Sequence, residues 1–167
     1  MDPRVVSAET PVGGLIRSTG PDVTRALGRA IGAAAGPGTF VALVGELGAG
    51  KTQLAKGVAE GLGVRSVVNS PTFVLMNEHV GRLRLHHVDA YRLTDPEEAF
   101  AAGLLDERQA AGVVVVEWAD RLHGFLPPDR LELAFAAVAD DPEQRLVRWR
   151  ALGDAHTRLA TEALPVP

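Results

Sequence analysis

Cysteine is absent from this 167-residue chain. That excludes disulfide staples, thiolate zinc sites, iron–sulfur clusters and a cysteine nucleophile, and it permits a reducing, cytoplasmic setting. No run of about 18 apolar residues occurs, so no transmembrane helix is expected and a membrane is not an expected partner. Met1–Thr10 carries charges and a proline where a secretory leader would carry an apolar core, which argues against export. A basic stripe is missing as well. Lys and Arg total 17 against 21 acids, for a net charge of −4, whereas autonomous duplex binders are usually basic. DNA is therefore not an expected partner. Arg82 with Arg84, and Arg145, Arg148 and Arg150, read as solvated strand faces or as partner-binding residues. Lysine itself is scarce: only Lys51 and Lys56 occur, so a motif that demands lysine rarely arises here by chance.

What is present is globular. Hydrophobic residues make up 46% and charged residues 23%, which rules out a disordered tail, a collagen-like chain and a coiled coil. The length suits one domain over residues 1–167, with a core at about 19–150 and a tail at 151–167. Neither a repeat nor a linker interrupts it. Apolar positions Val23, Leu27, Ala30, Ile31 and Ala34 predict a helix opened by Pro21-Asp22 and closed by Gly36-Pro37-Gly38. Thr39–Val44 predicts a buried strand, and Lys51–Gly61 a second helix. Val67–Phe73 reads as a loop. Phe73–His79 and Arg82–Tyr91 read as strands joined at Val80-Gly81. Asp95-Pro96-Glu97-Glu98 opens a helix running to about Ala102, and Asp106–Ala111 reads as another. Four successive valines, Val113–Val116, suit a central strand covered on both faces. Residues 130–139 and 144–150 predict a late hairpin around Asp140-Asp141-Pro142, and His156–Ala163 a terminal helix. The expected fold is α/β: a three-layer sandwich with a mixed, mainly parallel central sheet and a C-terminal β-hairpin.

Gly45-Glu46-Leu47-Gly48-Ala49-Gly50-Lys51-Thr52 fits G-x-x-x-x-G-K-[ST] at every position. Glycines let the backbone curl so that successive N–H groups face phosphate oxygens. The helix that follows directs its positive end at the same anion. Gly48, Ala49, Gly50, Lys51, Thr52 and Gln53 are the candidate nucleotide-binding residues. Lys51 can reach the β- and γ-phosphates, the Thr52 hydroxyl can ligate magnesium, and Gln53 can offer its backbone N–H to the α-phosphate. A strand before and a helix after supply the context for a P-loop NTPase fold. No Asn-Lys pair is available for guanine selection, so adenine is preferred and ATP is the expected nucleotide.

ATP chemistry also needs magnesium and a means of orienting water. Acids at the C-terminal ends of strands beside the loop strand are placed for that. Glu117, directly after the valines, resembles a Walker B acid; the competing reading is a solvated strand end. Asp89 is the second candidate, with a structural hydrogen bond to Tyr91 or Arg92 as its alternative. Lys51, Asp89 and Glu117 are thus the candidate catalytic residues, and Thr52 and Glu117 the candidate metal ligands. Ser70-Pro71-Thr72-Phe73 is either a capped proline turn or a switch-like loop near the γ-phosphate. Trp118 either covers the site, docks a partner or fills the core. His86 and His87, adjacent on a strand, face opposite ways and read as structural. Three functions fit: an ATPase acting through partners, a small-molecule P-loop kinase, and a nucleotide-sensing scaffold without turnover.

The loop at 45–52, Ser-Pro-Thr-Phe at 70–73, Asp-Ala-Tyr-Arg-Leu at 89–93 and Glu-Trp-Ala-Asp-Arg at 117–121 occur in that order. Together they resemble the TsaE (YjeE) family, the small ATPases of bacterial tRNA threonylcarbamoyladenosine biosynthesis. The resemblance spans roughly residues 19–140. It implies binding of ATP and magnesium, weak hydrolysis alone, and substantial hydrolysis only with TsaB and TsaD. TsaD would transfer threonylcarbamoyl to adenosine 37 of tRNA, which this chain would meet indirectly, through the complex. The same resemblance implies that Thr52 and Glu117 hold magnesium, that Asp89 supports the metal or attacking water, that Trp118 lies beside the site, and that Ser18–Asp22 touches adenine. Where the family carries a second threonine, this chain has Gln53. Arg92 and Arg121 are candidates for an arginine finger and equally for surface ion pairs.

Overall fold

The computed structural model describes residues 11–71, 76–98 and 111–165. Seven strands form one sheet: β1 (Val12–Ser18), β2 (Phe40–Gly45), β3 (Met76–Val80), β4 (Arg84–Asp89), β5 (Val113–Glu117), β6 (Arg130–Val138) and β7 (Asp141–Leu152). Their spatial order is β1-β7-β6-β2-β5-β4-β3. The central four, β6-β2-β5-β4, run parallel. Antiparallel strands close both edges, β7 and β1 on one side and β3 on the other.

Three helices, α1 (Pro21–Ala34), α2 (Lys51–Gly61) and α3 (Asp154–Ala163), pack on one face of this sheet. A 3-10 helix, Ala119–Phe125, and the segment from Ala90 to Leu93 cover the other face over β2, β5 and β4. The valine run shows why β5 is central. Val113 and Val115 join the helix-side core, while Val114 and Val116 meet Phe40, Ala42 and Leu122 on the opposite side. Over β6, β7 and β1 that opposite face is open among the described residues, with Leu15, Ala134, Arg148 and Arg150 exposed.

The first two helices touch backbone to backbone. A Cβ on Gly28 would lie 2.2 Å from the Leu54 carbonyl oxygen, and one on Gly57 would lie 2.1 Å from that of Arg25. Gly32 and Gly61 make equally close approaches. Arg25 and Arg29 bind the Glu60 carboxylate across the same seam. α2 is therefore seated rigidly, and its N-terminus is where the glycine-rich loop ends.

Among the described residues the expected helices and strands occur with small changes in their ends; residues 73–75 of the expected Phe73–His79 strand lie outside them. The hairpin turn is at 139–140, so Asp141 and Pro142 belong to β7. The Asp95 carboxylate accepts the Glu97 amide at 3.0 Å, as an N-cap does. The remainder of that helix, and the one expected over Asp106–Ala111, lie outside the described residues, as do Thr72 and Phe73 of the Ser-Pro-Thr-Phe loop. β1 and the 3-10 helix were not expected. Residues of the tail join the helix-side core through Leu159, Ala160 and Leu164. His156 ties α3 to β2 by accepting the Phe40 N–H at 3.0 Å. Burial pushes the His156 pKa down, so the ring stays a neutral acceptor. Among the described residues no helix is long and apolar enough to cross a membrane.

Candidate functional site

β2 ends in the loop that leads to α2, and the turn depends on glycine at two points. Gly48 and Gly50 have φ of +76° and +112°, backbone that L side chains rarely adopt. α2 then begins at Lys51, so the amides of its first turn have no partner within the helix. Such a helix end favours an anion.

A cleft of about 540 Å³ opens at this loop. Its floor and walls bring together every residue expected at the site: Gly48, Ala49, Gly50, Lys51, Thr52 and Gln53 from the loop and α2, with Asp89 and Glu117 from β4 and β5. The sheet register explains the meeting of the acids. Asp89 pairs with Glu117, and Glu117 pairs with Leu43 of the loop strand. Glu117 is only 2% exposed, so the solvated strand end is not what forms. Its carboxylate accepts the Thr52 hydroxyl at Oε1 (2.7 Å) and is met at Oε2 by His87 Nε2 (2.6 Å). Asp89 accepts the Ser70 hydroxyl at 2.6 Å and the Tyr91 amide at 2.9 Å. Its structural bond to Tyr91 is thus real, and it is compatible with a place in the cleft.

Lys51 is buried, and its ammonium donates to the carbonyls of Gly45 (2.6 Å) and Glu46 (2.8 Å). Burial pushes its pKa down; the charges of Glu117, Asp89, Asp120 and Glu46 oppose that shift. The ammonium also lies 4.1 Å from the centre of the Trp118 ring. Trp118 has a φ of +58°, the one positive value at a non-glycine residue among those described. That backbone turns the indole off the end of β5 and against Tyr91, with ring centres 4.8 Å apart. The Arg121 guanidinium sits 5.7 Å from the Tyr91 ring. Arg92 is not among the residues lining the cleft.

The arrangement can do two things chemically. The free amides at the start of α2 and an ammonium can hold a phosphate chain, and a hydroxyl beside the buried Glu117 carboxylate supplies hard oxygen donors for a small divalent ion. The family model for the threonylcarbamoyl adenosine biosynthesis protein TsaE matches residues 18–147.

The chain belongs to the TsaE family.

The tRNA threonylcarbamoyladenosine biosynthesis protein TsaE of Bacillus subtilis is 40% identical over 147 residues, covering 87% of this chain and 90% of that one. The protein of the same name from Streptomyces coelicolor is 42% identical over 135 residues, covering 78% and 91%. The crystal structure of Bacillus subtilis YdiB aligns with a TM-score of 0.76 at 34% identity, over 92% of this chain and 95% of that one.

Two residues of this TsaE-family site escaped the sequence reading. His87 reads as structural, and its full burial agrees with that; what the sequence did not show is that its bond goes to Glu117. The signal was its spacing: His87 and Asp89 stand two apart and so share a strand face. Arg145, grouped with Arg148 and Arg150 as a solvated face, is an odd number of residues from Arg148 and points to the other side. It lines the cleft, and its guanidinium donates to the Gly48 carbonyl at 3.3 Å. Gly20 and Pro21, from the stretch expected near adenine, line the end of the cleft formed by α1 and the β6–β7 hairpin.

Proposed function

We propose that this TsaE-family chain is the ATP-binding and ATP-hydrolysing component of the machinery that places threonylcarbamoyl on adenosine 37 of tRNA. On this reading it works in the cytoplasm, turns over slowly alone and substantially with TsaD and TsaB, and meets tRNA only through them. Its turnover allows the complex to act repeatedly. The family's place in tRNA threonylcarbamoyladenosine biosynthesis supports the pathway. The observation that carries the ATPase role is the Thr52–Glu117 contact at the foot of a loop that ends in Lys51.

The amides of residues 48–53 would bind the phosphates, and Lys51 would leave its loop carbonyls to meet the β- and γ-phosphates. Thr52 and Glu117 would hold magnesium, and the donor set fits: two oxygen ligands, with a second acid, Asp89, paired beside Glu117. Bound magnesium supplies charge neutralisation on the phosphates. Asp89, fixed by Ser70 and the Tyr91 amide, would orient water at the same edge.

The test is phosphate release from ATP by the chain alone and with TsaD and TsaB, for the parent and Lys51→Ala. The expected result is a rise with the partners and a loss of about 100-fold in the variant, the scale seen when one positioned charge-stabilising group is removed. An unchanged rate in Lys51→Ala overturns the loop's role. A labelled metabolite formed without TsaD would mark a kinase instead.

A further inference from the structure

We propose that His87 is a positioning residue: its bond to Oε2 of Glu117 determines that Oε1 of the same carboxylate faces Thr52. This rests on the reading of Thr52 and Glu117 as the magnesium ligands.

Burial makes the constraint strict. Glu117 is 2% exposed and His87 not at all, and a buried carboxylate needs partners on both oxygens. Here there is one partner for each, Thr52 at 2.7 Å and His87 at 2.6 Å. A carboxylate has no proton to give, so Nε2 of the imidazole is the donor. Register makes the contact reproducible. His87 pairs with Val115, two residues before the Asp89–Glu117 pair, so His87 and Glu117 are diagonal neighbours on the helix side of two central parallel strands. Both are rigid elements; the ring is fully enclosed, and the carboxylate reaches open space only through the cleft it lines. A competing partner for the carboxylate lines the same cleft, the Lys51 ammonium. Without His87, three side-chain torsions would leave Glu117 free to turn toward that ammonium and away from Thr52. A second partner of this kind, behind a metal ligand, typically changes metal affinity or activity by about 10–100-fold.

The experiment measures binding of a fluorescent ATP analogue to the full chain alone, with and without magnesium, so that no turnover is involved. The variants are His87→Leu, which removes the donor, His87→Gln, whose amide reaches as far as Nε2, and His87→Asn, whose amide falls short. Thermal unfolding reports folding, and the Asn and Gln pair decides the matter if the Leu variant does not fold. In the parent, magnesium tightens binding. The expected result is that this tightening shrinks by roughly 10–100-fold in His87→Leu and His87→Asn, is largely restored in His87→Gln, and that magnesium-free affinity changes by less than about twofold. Parent-like tightening in the Leu or Asn variant overturns the proposal. So does an equal loss with and without magnesium, or a Gln variant as poor as the Asn one. A parent that binds no nucleotide under either condition refutes the ATP reading itself, which is a different result.

Discussion

One methyl group added at Gly28 tests how far the candidate nucleotide site depends on the helix seam behind it. An alanine Cβ there would sit 2.2 Å from the Leu54 carbonyl oxygen and 3.0 Å from the Gly57 α-carbon. Both are backbone atoms, so no flexible side chain can give way, and α1 and α2 must separate by about 1 Å to reach ordinary contact. Overpacking of this kind costs about 1–3 kcal/mol, and backbone against backbone belongs at the upper end. Alanine in place of glycine returns about 1 kcal/mol of helix propensity. The net loss is about 2 kcal/mol, or roughly 4–8 °C in Tm for a chain of this size. Leu54 lies in the first turn of α2, so the displacement also reaches Thr52, whose bond to Glu117 is 2.7 Å long. Nucleotide affinity in magnesium should fall with stability. The assay is thermal unfolding of Gly28→Ala beside Gly36→Ala, where a Cβ would meet nothing within 4 Å and Tm should move by no more than about 2 °C. A Tm for Gly28→Ala equal to or above the parent's would refute the close-packed seam, because propensity alone would then be deciding.

Glu117→Ala leaves Thr52 and His87 without their acceptor; the buried groups it strands should lower stability by about 1–3 kcal/mol. Partner-stimulated hydrolysis should fall by roughly 10–100-fold while magnesium-free nucleotide affinity stays near the parent's, and equal hydrolysis rates would remove Glu117 from the metal site. Lys51 makes a pH prediction. Burial lowers its folded-state pKa, so between that value and the ordinary lysine value the unfolded chain binds more protons and stability rises with pH. The Tm difference between Lys51→Met and the parent should therefore move in the parent's favour as pH climbs through the alkaline range; a difference that stays constant contradicts the buried-ammonium account.

Much of this was legible in the chain because the cues are local. The glycines, Lys51 and Thr52 stand in a fixed pattern, α2 carries helical periodicity, and four successive β-branched valines suit a strand covered on both faces. The residues that escaped are defined by distant pairing. Val12–Ser18 contains two glycines and reads poorly as a strand. It becomes one by pairing with β7, and a Cβ at Gly14 would strike the Trp149 indole at 2.7 Å. The glycines that weaken the local signal thus make room for a tryptophan more than a hundred residues away. His87 meets Glu117 only through the β4–β5 register, and the same register buries the acid. Arg145 was misread because its neighbours Arg148 and Arg150 share a face that it does not.

The most direct test is a crystal structure of the chain with magnesium and a non-hydrolysable ATP analogue. The account predicts phosphates against the amides of residues 48–53, Lys51 drawn from the Gly45 and Glu46 carbonyls onto them, and the metal on Thr52 and Glu117. A nucleotide seated elsewhere, with Lys51 still on those carbonyls, would contradict it.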